Sequence, residues 1–220
     1  MSAMFSGLFA ATAFSAFLCS SASPSYPELN PALGKYQNVA LCIPFEETWY
    51  SVYRNYETDP AFGSMDMCTR FTSTGPGVNG TYPFMVQYGQ SSANLTGTLS
   101  SSEGYTAKNV IHMQAPGQNV SLTVYVAYLD CHQCTVFRNI YAGEWACTLL
   151  VPESALGRNE TCCEFVFDLL CGTGQKYYIY NETCPDLKNQ PCGRELCLRR
   201  HFRRLLLKRR CRGIGGGWLE

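Results

Sequence analysis

Apolar and polar positions alternate with a period of two through much of the middle of the chain. Residues 49–56, Trp-Tyr-Ser-Val-Tyr-Arg-Asn-Tyr, form an aromatic-rich run, and Tyr82, Phe84, Val86 and Tyr88 mark every second position of another. Val120, Leu122, Val124, Val126 and Tyr128 do the same, and Tyr177, Tyr178, Ile179 and Tyr180 make a short run near the end. Successive side chains of a strand point to opposite faces, so each run predicts a strand with one buried side. Stretches rich in Gly, Asn, Ser and Pro at 73–80 and 115–118 read as the turns between them. One later segment, residues 161–171, has helical spacing: Phe165, Val166, Leu169 and Leu170 share one side, and Gly172 supplies a stop. A Pro-rich entry at 24–31 is expected to be irregular, with a short helix within 32–48. Many short strands, then one helix and a last strand, predict an all-β fold. The expected form is an antiparallel barrel of about eight strands with the helix packed on it, a shape that can enclose one small ligand.

The first 22 residues have an apolar middle followed by small residues, the pattern of a secretory signal peptide, although no positive charge precedes the apolar run. That run is short for a membrane span of roughly 20 residues. Thirteen cysteines agree with export. Cys19 falls within the leader, and the other twelve read as a disulfide framework. Zinc is a poor alternative, since only His112, His132 and His201 are available and there is no pair of CxxC units. Five N-x-[ST] acceptors, Asn79, Asn94, Asn119, Asn159 and Asn181, predict a glycosylated, extracellular chain.

The formal net charge of zero hides a division. Residues 1–187 carry 7 Lys and Arg against 15 Asp and Glu, a balance of −8; residues 188–220 carry 10 against 2, a balance of +8. The organisation expected is therefore a leader at 1–22, a barrel domain at 30–186 and a basic, Cys-containing tail at 187–220 that forms no packed structure. The tail's basic run could touch anionic surfaces. No nucleic-acid partner is expected.

The order of several elements resembles the tick salivary lipocalins, the histamine-binding protein family. These are Asn30-Pro-Ala-Leu-Gly-Lys-Tyr-Gln37, Asp59-Pro-Ala-Phe-Gly63, Cys68, Cys134, the Cys162-Cys163 pair before the helix, and Tyr178-Ile-Tyr-Asn-Glu-Thr-Cys184. The resemblance implies an eight-stranded lipocalin barrel that holds a host amine or lipid. It also implies disulfides joining Cys68 to Cys184 and Cys134 to one of Cys162 and Cys163. Some relatives add a bridge from an early cysteine, which would make the pairs Cys42–Cys162 and Cys134–Cys163. Cys147 and Cys171 could then pair, leaving Cys131, Cys192, Cys197 and Cys211 without assigned partners.

A protonated amine in a dry barrel needs a facing carboxylate, because an unpaired buried ammonium is costly. Aromatic faces add cation–π attraction. The resemblance places Tyr56, Asp59 and Phe62 on a family Tyr, Asp and Trp. A second family element, an acid followed two positions later by Trp, falls on Thr148 and Leu150. A further acid falls near Val124 or Tyr125. Those carboxylates are absent, unless a shift of register lets Glu144 and Trp145 substitute. A cavity lined by Trp49, Tyr53, Phe84, Tyr88, Val124 and Leu150 would suit an apolar ligand such as an eicosanoid.

No Ser/His/Asp signature, H-E-x-x-H or phosphate-cradling loop is present. Cys131-His-Gln-Cys134 has redox spacing without a βαβ context. The expectation is a secreted binding protein without a cofactor, not an enzyme. Its function would be to sequester a biogenic amine such as histamine or serotonin. Capture of leukotrienes, or inhibition of a host complement or clotting protein, is the alternative.

Overall fold

The structure, a computed structural model, describes residues 26–117, 121–158 and 161–184. The expected leader, the basic tail, and the acceptors Asn119 and Asn159 lie outside the described residues.

The described chain forms nine strands: β1 (Trp49–Arg54), β2 (Arg70–Ser73), β3 (Thr81–Tyr88), β4 (Ser91–Ser100), β5 (Val110–Gln114), β6 (Ser121–Asp130), β7 (Cys134–Arg138), β8 (Cys147–Pro152) and β9 (Tyr177–Tyr178). Strands β1 to β8 pair in sequence order, all antiparallel. β1 then meets both β8 and β2, which closes an eight-stranded barrel. The short β9 adds to β1 beyond the end of β2, opposite Tyr53 and Arg54. Closure matters because it leaves no long unpaired edge for other chains to add to. The expected all-β barrel is therefore present. In place of a helix within 32–48 there are two 3-10 turns, Pro31–Tyr36 and Val39–Leu41, the first capped by Asn30 Oδ1 accepting from Ala32 N–H at 3.0 Å.

Two apolar clusters share the barrel wall. One fills the interior with Trp49, Phe71, Phe84, Val86, Leu95, Ile111, Val124, Val126 and Leu150, among others. The other lies between the outer wall and the helix α1 (Thr161–Cys171). The helix occupies the predicted residues but turns a different side inward. Cys163, Val166, Phe167 and Leu170 are buried, whereas Phe165 and Leu169 are 48 % and 40 % exposed. Positions i, i+3, i+4 and i+7 from Cys163 make the true apolar stripe, and the Cys134–Cys163 disulfide fixes that side against β7.

Cys68–Cys184, Cys134–Cys163 and Cys147–Cys171 pair as expected. Cys42 does not pair with Cys162; it pairs with Cys131, the residue left over in the sequence reading. The reason is topological. Cys42 follows the second 3-10 turn, and Cys131 follows β6 at the same end of the barrel, which brings their Cα atoms to 5.5 Å. Cys162 is disulfide-bonded as well.

Outside the barrel wall, Arg138 of β7 is fully buried and bidentate to Glu28, with Nε–Oε1 at 2.7 Å and Nη2–Oε2 at 3.0 Å. Its Nη2 also donates to the Leu170 carbonyl, and the rings of Tyr26 and Trp145 lie beside its guanidinium. This group ties the chain before the barrel to β7 and α1. Breaking such a pair strands a buried charge, which costs about 3–5 kcal/mol.

Candidate ligand-binding site

The site begins with an irregularity in β1. Ser51 pairs with Leu150, Tyr53 with Leu149 and Arg54 with Thr148, so Val52 is an extra residue, a β-bulge. Before the bulge, Trp49 and Ser51 point inward. After it the alternation changes parity. Tyr53 turns outward onto the Phe167 ring, 4.8 Å away and edge-on, and Arg54 turns inward. Bulges commonly re-aim side chains beside functional sites. The alternation of the sequence placed Tyr53 in the cavity; the bulge moves it out and substitutes a guanidinium.

The loop after β1 then carries Asp59 over the same end of the barrel. Asp59 and Ser64 exchange backbone hydrogen bonds of 2.9 and 3.0 Å, closing a tight turn. Gly63 sits in it with φ +80°, and a Cβ there would lie 2.7 Å from the Tyr88 ring. Only glycine fits, which explains the last position of the Asp59–Gly63 element. Asp59 Oδ1 accepts the N–H groups of Ala61 at 2.9 Å and Phe62 at 3.0 Å. Its Oδ2 accepts the hydroxyls of Tyr56 at 2.9 Å and Tyr141 at 3.3 Å, with Arg54 Nη1 at 3.5 Å. The side chain thus folds its own turn with one oxygen and faces the cavity's polar groups with the other.

A second row of polar groups stands behind these. Asn139 Nδ2 donates to Tyr56 Oη at 2.9 Å and to Thr148 Oγ1 at 2.7 Å, and Thr148 and Tyr56 share a hydrogen bond of 2.9 Å. Burial, followed by the Asp59 charge, pushes the Tyr56 hydroxyl up to about 12. Burial, with Tyr56 and Asp59 beside it, also holds the Tyr141 hydroxyl well above the usual tyrosine range. Both phenols are protonated donors at neutral pH. Arg54 Nη2 donates to the carbonyls of Glu57 at 2.7 Å and Ser64 at 2.5 Å, so the guanidinium also holds the loop. Among the described residues its Nε–H has no partner, and neither has the Thr69 hydroxyl. A buried donor left unmet costs about 1–3 kcal/mol.

The rest of the lining is mostly apolar, with Ile43, Phe45, Phe62, Phe71, Phe84, Ile111, Met113, Val124, Phe137 and Leu150, interrupted by Ser51, Ser73 and Tyr82. Phe62 stands edge-on to Phe71 at 5.6 Å and to Tyr141 at 6.1 Å. The space that the centre of a water molecule can occupy is about 50 Å³, a few times what a single water needs. The empty chamber is narrow, so an aromatic ligand must displace side chains to enter.

Among the lining residues Asp59 is the one carboxylate and Arg54 the one cation. Thr148, Leu150 and Val124 all line the cavity, at the positions where the resembling family carries acids and Trp. The inward register therefore runs through Thr148 and Leu150, and Glu144 and Trp145 do not take their place. Both precede β8: Glu144 is exposed, and Trp145, 50 % exposed, packs edge-on against Tyr26 on the outer side. Of the expected apolar lining, Phe84, Val124 and Leu150 are present, while Trp49 and Tyr88 pack in the interior cluster beside the cavity. Arg54, Asn139 and Tyr141 escaped the sequence reading. The one available signal was Arg54, a charge on an otherwise apolar strand.

A model of the tick histamine-binding protein family matches residues 27–186, the whole barrel with its helix and last strand. The chain belongs to the tick histamine-binding protein family. No curated protein sequence matches it. Among solved structures, it is similar to a protein described as the AM182 serotonin complex, at 20 % identity and a TM-score of 0.47, over 71 % of this chain and 94 % of that one. Family membership accounts for the antiparallel lipocalin barrel. Among the described residues, no helix is long and apolar enough to cross a membrane.

Proposed function

We propose that this member of the tick histamine-binding family binds a small biogenic amine, histamine or serotonin, inside its barrel, and sequesters it rather than transforming it. The observation that carries this reading is Asp59: a buried carboxylate held by two backbone amides at the end of an aromatic-lined cavity. A ligand ammonium against Oδ2 would gain a desolvated charge partner, with the rings of Phe62 and Tyr141 beside it. The family, the leader and the disulfides support a secreted salivary protein that evades host defence. Exposed side chains at Asn79, Asn94 and Asn181 support glycosylation.

The experiment is calorimetric titration of the protein with histamine, serotonin and a leukotriene, repeated on Asp59→Asn. Asparagine keeps Oδ1 for the turn and removes the charge. Losing one partner of a desolvated charge pair costs about 2–5 kcal/mol, so amine affinity should fall more than tenfold. Stoichiometric leukotriene binding without amine binding would favour an eicosanoid carboxylate against Arg54. No heat with any of the three, together with a retained plasma protein, would favour a protein-binding inhibitor. Either result overturns the amine reading.

A further inference from the structure

We propose that Arg54 sets the specificity of this cavity, and that the preferred ligand is an aromatic amine carrying an oxygen acceptor one or two carbons from its ammonium. The inference rests on the pairing of a ligand ammonium with Asp59 and goes beyond the amine reading: histamine and serotonin carry no oxygen beside the ammonium and would bind more weakly than an amine that does. Asp59 is already engaged by five donors: two backbone amides, the Tyr56 and Tyr141 hydroxyls, and Arg54. A carboxylate offers about four lone-pair sites, so an ammonium reaching Oδ2 must displace one of them. The phenols are neutral and can rotate away. Arg54 is clamped by the carbonyls of Glu57 and Ser64 and lies on a strand whose bulge aims it inward. It stays when a ligand arrives.

A simple amine bound there leaves two cations facing one anion in a dry, apolar chamber, an arrangement that is costly unless a further acceptor is supplied. The carbonyls of Glu57 and Ser64 take only Nη2: among the described residues Arg54 Nε–H is buried with no partner, and the Thr69 hydroxyl on the neighbouring strand segment is unmet as well. A hydroxyl on the ligand beside its ammonium satisfies the Nε–H, and a carboxylate there also balances the charge. The polar end is then complementary to an amphoteric head, ammonium toward Asp59 and oxygen toward Arg54. The apolar remainder, with Phe71, Phe84 and Met113, takes the aromatic body.

The test uses matched pairs of probes on the full chain: tryptamine against L-tryptophan, and phenethylamine against its β-hydroxy derivative, each by calorimetric titration. In wild type, the oxygen-bearing member should bind at least tenfold more tightly. In Arg54→Lys, which keeps a cation beside Asp59 but lacks the guanidinium Nε–H, the ratio within each pair should fall toward one. Far-ultraviolet circular dichroism establishes that the variant is folded; if it is not, the wild-type ratios decide alone. Plain amines binding as tightly as their partners, or a ratio that survives in folded Arg54→Lys, would overturn this inference and leave the amine reading standing. Binding of none of the four overturns this inference, and histamine and serotonin titrated beside them decide the amine reading.

Discussion

Tyr56 stands at the centre of the polar end, donating a hydrogen bond from its hydroxyl to Asp59 and receiving hydrogen bonds from Asn139 and Thr148. Burial first, and the Asp59 charge second, favour its neutral form, so its pKa in the fold, about 12, exceeds the ordinary value of 10.0. The sign follows from linkage. A group whose folded pKa is raised stabilises the fold fully below its unfolded pKa, and that contribution is lost as pH rises from about 10 through 12. We expect Tyr56 and Tyr105, whose hydroxyl burial also pushes up to about 12, to ionise late in a phenolate absorbance titration. Tyr56→Phe should reduce the amplitude of that late step by one tyrosine and lessen the loss of stability over the same range. Tyr56 and Asp59 were legible in sequence because they lie in one short element. Asn139 and Tyr141 were not, because they arrive from the loop after β7 and no local pattern joins them to residue 59.

At the scale of elements, the two bulges and the helix decide which residues meet. β6 repeats the device of β1: Val126 pairs with Phe137 and Tyr128 with Val136, leaving Ala127 extra. The even positions from Val124 to Tyr128 alternate without a break in sequence, yet Val126 joins the interior and Tyr128 the cluster under α1. A pattern of period two cannot register an inserted residue when the residues around it are all apolar. β4, Ser91–Ser100, is the reverse case: a polar, Ser- and Thr-rich run that pairing to β3 and β5 makes into a strand. Under α1, Phe167 is fully buried against Tyr53. Truncating a buried Phe costs about 3–5 kcal/mol, so Phe167→Ala should lower unfolding free energy by that amount in denaturant titration. Phe165→Ala, on the exposed side, should change it by less than about 1 kcal/mol.

For the whole molecule, four described disulfides join segments that the barrel brings together. Cys42–Cys131 and Cys68–Cys184 close loops of 89 and 116 residues. Non-reducing peptide mapping should find Cys42 joined to Cys131. Replacing both by Ser should lower stability by roughly 2–5 kcal/mol, with amine binding retained because neither residue lines the cavity. Binding with unchanged stability would mean that the bond does not form in the native protein. By itself, the sequence determined the barrel class, the position of the helix, the Cys68–Cys184 pairing and the joining of Cys134 to the Cys162-Cys163 pair through family resemblance, and the Tyr56–Asp59–Phe62 element. Alternation, helical spacing and short motifs are local, so they survive in a one-dimensional reading. Which face of α1 is buried, which cysteine Cys42 meets, and the entry of Arg54 into the cavity in place of Tyr53 were decided by the tertiary structure. Each depends on how distant strands align, and a single bulged residue is enough to reverse the side on which everything after it points.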